Sequence, residues 1–263
     1  MSKPWRIGIL GGMGPEATVA LMSRLIAATP ARDDADHIPL LVDMNPQVPS
    51  RIARLIEGRG EDPGPVLAEM ARGLERAGAR ALAMPCNTAH HYAPVIREAV
   101  SIPFIDMVDL AARQAMAKAP EGAPIGVLGS PALRQIGIFD AALARHGGRA
   151  AYPSDQSALL KAIRDIKSAG PSDAAAAILG TAAADLAAQG ARVQLVACTE
   201  FSLIAHAAAE KAEAIDTLDM LVEAMIGFAF GGASGPHKGE GGGECRSMSG
   251  ATDIINDRET RHV

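Results

Sequence analysis

Short apolar runs alternate with longer segments of helical spacing along most of the chain. "WRIGIL" (5–10) predicts a strand that ends in the glycine turn "GGMGPE", and "EATVALMSRLIAATP" (16–30) predicts a helix closed by Pro30. "IPLLVDM" (38–44) predicts a second strand, and "PGPVLAEMARGLERAGA" (63–79) a helix with Gly78 at its C-cap. "RALAMPC" (80–86) predicts a third strand and "YAPVIREAV" (92–100) a further helix. This β–α alternation predicts a parallel sheet covered by helices.

The pattern then restarts. "IGVLGS" (125–130) repeats "IGILGG" (7–12), "VQLVACTE" (193–200) echoes "ALAMPCNT" (81–88), and "IDTLDML" (215–221) repeats "IDMVDLA" (105–111). Three matches in one order predict two similar α/β halves, and their spacing is far too long for a solenoid. In open parallel sheets, ligands bind beyond the carboxyl ends of the strands. Cys86 and Cys198 stand at such ends, so two facing halves would bring both thiols to one cleft from opposite sides.

Composition narrows this picture without changing it. A chain of 263 residues, 48% hydrophobic and 21% charged, is long and apolar enough for a packed core, which at 3% aromatic must be aliphatic. The net charge of −5 shows no basic cluster, which argues against nucleic acid or an anionic membrane as partner. No apolar run reaches membrane-spanning length, and no signal-peptide core follows the N-terminus. Three widely spaced cysteines match neither a disulfide framework nor a zinc pattern, so a reducing cytoplasm is expected and no metal is. The Gly-rich stretch 233–263, which holds Cys245, reads as a mobile tail.

Two facing thiols have a definite chemistry. A thiolate can take a proton from a carbon while a thiol on the other face returns one, which inverts the centre and leaves the roles exchanged. No metal or organic cofactor is required if fixed donors stabilise the carbanion-like transition state. Asn87, Thr88 and Thr199 supply such donors beside the two cysteines. The bland alternative for a single cysteine at a strand end is a small buried hydrophobe; two at equivalent places in a duplicated chain weigh against it.

At this point "GGMGPEAT" (11–18), "PCNTAH" (85–90) and "CTE" (198–200) together resemble the aspartate/glutamate racemase family, in its aspartate racemase branch. The resemblance implies a two-domain enzyme of pseudo-twofold symmetry with its site between the domains, acting on acidic amino acids without a cofactor, and assembled as a homodimer. It implies a first domain of residues 1–106 plus 215–232 and a second of 107–214, with the last helix returning to the first. Cys86 and Cys198 match the two catalytic cysteines, with Cys198 serving the L-enantiomer and Cys86 the D-enantiomer. Asn87, Thr88 and Thr199 match carboxylate-holding residues, and Met13 matches a residue lining the pocket. Arg51 matches an arginine for the side-chain carboxylate, Lys167 a lysine on the opposite side, and His90 a supporting residue.

The chain departs from the family pattern at Ser50 and Ile52, where Asp and Thr are usual, and at Ser130 and Leu133, where two threonines are. The departures bear on substrate choice more than on racemisation. Related isomerases of maleate or hydantoins, and decarboxylases of malonates, use a similar cysteine and carboxylate pocket. "GMGPEA" (12–17) also fits a dinucleotide fingerprint, but Glu16 then stands where a pyrophosphate would lie. A binder that captures an amino acid without turning it over is the third class.

Overall fold

The computed structural model describes residues 3–231, so Cys245 and the expected tail lie outside the described residues. The first sheet unit runs β1 (Ile7–Gly11), α1 (Pro15–Ala28), β2 (Leu40–Met44), α2 (Arg51–Leu55), α3 (Pro63–Arg76), β3 (Ala81–Ala83) and α4 (Ala93–Ala99). Helix α5 (Met107–Lys118) leads to the second: β4 (Ile125–Leu128), α6 (Pro131–Ile136), α7 (Ile138–Arg145), β5 (Ala150–Ala151), α8 (Gln156–Ala169), α9 (Asp173–Ala188), β6 (Val193–Val196), α10 (His206–Ala209) and β7 (Glu213–Asp216). Helix α11 (Thr217–Ala229) closes the described chain.

Both sheets are parallel, ordered β2-β1-β3 and β5-β4-β6-β7. Ile7 is in register with Leu40 and Ala81, and its counterpart Ile125 with Ala150 and Val193. A single bridge, Leu82 to Phe104, extends the first sheet at the place β7 holds in the second. The order of the sequence repeats is therefore the order of the strands. Strands β1, β4 and β6 are buried at every position because helices cover both faces, whereas the edge strand β2 is part exposed.

Two helices cross between the units. Helix α5 follows the first sheet but packs Val108, Ala111 and Ala115 into the core of the second, against Val127, Leu195 and Phe139. Helix α11 follows the second sheet but packs Leu218, Leu221, Val222 and Met225 onto Ile7, Ile9, Leu21 and Leu25 of the first. Each begins with the same Asp-x-x-Asp element, whose first aspartate caps the helix: Asp106 accepts from Val108 and Asp109, and Asp216 from Leu218. Arginines clasp both pairs. Arg97 and Arg145 bind Asp106 and Asp109 at 2.6 and 2.9 Å, and Arg24 binds both Asp216 and Asp219 at 2.7 Å.

Two sequence expectations shift. The strand expected over 80–86 stops at Ala83, because Pro85 follows and the Cys86 N–H turns back to the Met84 carbonyl at 2.9 Å. The helix expected over 92–100 starts as a 3-10 turn at Thr88. Ile215 and Asp216 belong to β7, and α11 starts directly after them at Thr217. Among the described residues, no helix is long and apolar enough to cross a membrane.

Candidate active site

Both cysteines sit just past the sheets: Cys86 three residues after β3 and Cys198 two after β6. Each precedes a 3-10 turn, Thr88–Tyr92 and Phe201–Ile204. The two ends meet at a cavity of about 70 Å³, room for a few waters or the polar core of a small amino acid. Met13, Arg51, Cys86, Asn87, Thr88, Lys167, Cys198 and Thr199, the eight catalytic and binding residues singled out from the sequence, line it, whereas His90 does not. The two thiols are free and nearly buried, 8% and 9% exposed.

Glu200 also lines the cavity, and the sequence reading did not give it a role. The Cys198 thiol donates to Glu200 Oε2 at 2.8 Å, and Lys167 Nζ lies 3.3 Å from Oε1 of the same carboxylate. Burial pushes the Cys198 thiol well above the usual range, and the Glu200 carboxylate adds to this, while the Lys167 cation and the Glu200 N–H pull the other way. For the Lys167 ammonium, burial works against the charge, but Glu200 and the two cysteines outweigh it and raise its proton affinity. Cys198 is thus held as an acid beside a Glu200 side chain that Lys167 also contacts. Its signal in the sequence was the third letter of "CTE".

The Cys86 loop is tied to the starts of both crossover helices. Met107 N–H, at the head of α5, donates to His90 Nε2 at 3.2 Å, so the proton of this ring is on Nδ1 and goes to the Cys86 carbonyl at 2.8 Å. Burial lowers the proton affinity of His90 and keeps it neutral. Asn87 Nδ2 donates to Thr217 Oγ1 at 2.9 Å, at the head of α11. One of the Asn87 donors expected for a substrate carboxylate is therefore already used.

The departures at 50–52 and 130–133 separate. Ser50 and Ser130 line the cavity, and their hydroxyls also cap α2 and α6 through Ala53 and Ala132 N–H. Ile52 lines the cavity too. Leu133 does not: it is buried among Phe139, Ala142 and Val127, so replacing a threonine there adds core rather than removing a pocket contact. Arg51 turns its guanidinium to the Val48 and Pro49 carbonyls at 3.2 and 3.0 Å.

The dinucleotide reading fits the first loop poorly. Gly12 has φ +89°, and a Cβ there would lie 2.4 Å from the Asn45 backbone, so this glycine serves the crossing of two loops. Its N–H is taken by Thr18 Oγ1 at 3.0 Å. A Cβ on Gly14 would face the carboxylates of Glu16 and Glu200 at 3.3 and 3.9 Å, so the approach a pyrophosphate needs is already negative.

The Asp/Glu/hydantoin racemase family profile matches residues 10–225. The chain belongs to this family. A broad-specificity amino-acid racemase, RacX of Bacillus subtilis (strain 168), is 25% identical over 225 residues, covering 84% of this chain and 96% of its own. The aspartate racemase of Picrophilus torridus superposes with a TM-score of 0.74 at 27% identity, covering 86% of this chain and 94% of that one. The glutamate racemase of Francisella tularensis, solved with D-glutamate, shares the racemase fold at 16% identity and a TM-score of 0.63, over 87% of this chain and 82% of that one.

Proposed function

We propose that this chain racemises an amino acid by a two-base reaction between Cys86 and Cys198. The observation that carries the reading is the delivery of two free, buried thiols to one small cavity from equivalent ends of two repeated sheets. One thiolate takes the Cα proton and becomes a thiol, leaving the electron pair on the substrate. The opposite thiol gives its proton to the other face and becomes the thiolate, so the reverse reaction starts from the product state. By family resemblance Cys198 serves the L-enantiomer and Cys86 the D-enantiomer. The Thr88 and Thr199 side chains and the second Asn87 N–H hold the α-carboxylate, whose charge must be stabilised as the carbanion forms.

Aspartate is the first substrate of this reading, with glutamate and a broader set beside it. Arg51 and Lys167 supply cations for a side-chain carboxylate. Met13, Ile52 and Ile163 give the same cavity apolar walls, which also suit the broad specificity named for RacX. A homodimer in a reducing cytoplasm completes the reading, and light scattering on the purified protein tests the dimer.

The test is incubation in D₂O under reducing conditions with single enantiomers of aspartate, glutamate and a panel of other amino acids. Loss of the Cα proton is followed by NMR and the enantiomer ratio by chiral chromatography. Inversion with deuterium uptake is expected, falling at least about 100-fold in both Cys86→Ser and Cys198→Ser. No exchange with any amino acid overturns the racemase reading and turns the search to hydantoins, maleate and malonates. Tight binding without exchange marks a binder.

A further inference from the structure

Thr217 belongs to no wall of the cavity, yet it joins the two cysteine loops. It is the first residue of α11 and is fully buried. Its hydroxyl donates to the Val196 carbonyl at 3.1 Å, at the end of β6 and two residues before Cys198. A hydroxyl has one proton, so toward Asn87 it can only accept, and Asn87 Nδ2 supplies that bond at 2.9 Å. Asn87 directly follows Cys86. The path Asn87–Thr217–Val196 is therefore two hydrogen bonds long and runs from one catalytic loop to the other.

The same logic fixes the Asn87 amide. If it flipped, Thr217 could bond the Asn87 oxygen only by giving up its bond to the Val196 carbonyl. Its Oδ1 is therefore turned elsewhere, and it is buried with no hydrogen-bond partner in the protein. Such a group carries a desolvation cost that a donor would relieve. Asn87 itself lines the cavity, so the hydrogen bond to Thr217 holds a lining residue in place. The equivalent residue in the other half is Met107, whose side chain has no hydroxyl. There His90 makes the link to the Cys86 loop instead.

The geometry points to Thr217 as a positioning residue: it sets the span between the two cysteine loops and holds the Asn87 amide in place at the cavity wall. The inference rests on the racemase reading for its kinetic consequence, though not for its structural one.

The test uses Thr217→Val, which keeps the shape and removes the hydroxyl, beside Thr217→Ser, which keeps the hydroxyl. The alkylation rate of Cys86 by iodoacetamide, read by peptide mass spectrometry, reports the loop without reference to activity. It is expected to rise about tenfold in the valine variant and to stay within about twofold of the parent in the serine variant. The value of kcat is expected to fall about 10- to 100-fold in Thr217→Val and to be kept in Thr217→Ser. In an Asn87→Ala background, Thr217→Val should change kcat by less than about twofold, because it acts through Asn87. A purely structural role would lower the thermal midpoint and leave the two effects additive. Parent-like Cys86 alkylation in Thr217→Val, or full additivity with Asn87→Ala, overturns the inference. If the valine variant does not fold, Thr217→Ala takes its place in both measurements. A parent that inverts no amino acid would sink the racemase reading, while the alkylation arm still decides the role of Thr217.

Discussion

Replacing Glu200 by glutamine should make Cys198 easier to ionise, although burial still works against its thiolate. In the parent, ionising Cys198 puts a second negative charge 2.8 Å from Glu200 Oε2. At that separation two unit charges repel by about 6 kcal/mol at an effective dielectric near 20. Lys167, 3.3 Å from the other carboxylate oxygen, offsets part of this, as does the Glu200 N–H. If only a quarter survives, about 1.5 kcal/mol, the thiolate population changes by a little more than tenfold. Glutamine keeps the size and the N–H, removes the charge, and leaves Lys167 to favour the thiolate alone. The assay is iodoacetamide alkylation from pH 6 to 10, with the Cys86, Cys198 and Cys245 peptides quantified separately. In Glu200→Gln the Cys198 profile should move to lower pH, with alkylation at pH 7.5 at least about tenfold faster. Lys167→Met should move it the opposite way. The sign for stability follows. A thiol whose proton is held more tightly in the fold stabilises it below the ordinary thiol range, and this is lost as pH rises through the folded value. The parent should therefore lose more stability than Glu200→Gln between pH 8 and 10. A Cys198 profile that stays in place or rises in Glu200→Gln would show that burial alone sets this thiol.

Other outcomes follow from the same contacts. Arg24→Met leaves the buried Asp216 carboxylate without its partner and frees the Ser202 carbonyl, so urea denaturation at pH 7 should show a loss of about 3 kcal/mol. Burial already raises the proton affinity of Asp216, so the gap to the parent should narrow as pH falls toward the carboxylate range. Leu221→Ala empties a fully buried position between α11 and the first sheet and should cost about 2–5 kcal/mol by the same measurement. Inversion of any amino acid should fall at least about 100-fold in Cys86→Ser and Cys198→Ser, with the thermal midpoint little changed.

What could be read from the sequence, and what could not, divides by the range of the interaction. The strands were legible because parallel strands buried on both faces are continuous apolar runs, and Ile7–Leu10 and Val193–Val196 have no polar side to confuse the pattern except Gln194, which is bonded to the Ala183 and Ala191 carbonyls. The repeat was legible because each copy meets the same local demands: a glycine-rich first turn, a cysteine past the third strand, an Asp-x-x-Asp opening a helix. The ends of elements were misjudged where a single local bond decided them, as with the turn from Cys86 N–H to Met84. The residues that tune the site were hidden for a different reason. Glu200 matters through Lys167, 33 positions away, and Thr217 through Asn87, 130 positions away, and no periodicity encodes such pairs. The duplication even works against finding them. A true twofold would make the two thiols alike, but their surroundings differ at each matched place: Ser202 for His90, Thr217 for Met107, and Glu200 for Thr88. The proposed two-base reaction needs one thiol protonated while the other is not. Glu200, which stands in the second copy where the first has Thr88, takes the hydrogen bond of the Cys198 thiol and favours its protonated form, a difference between the copies that their matched letters do not carry.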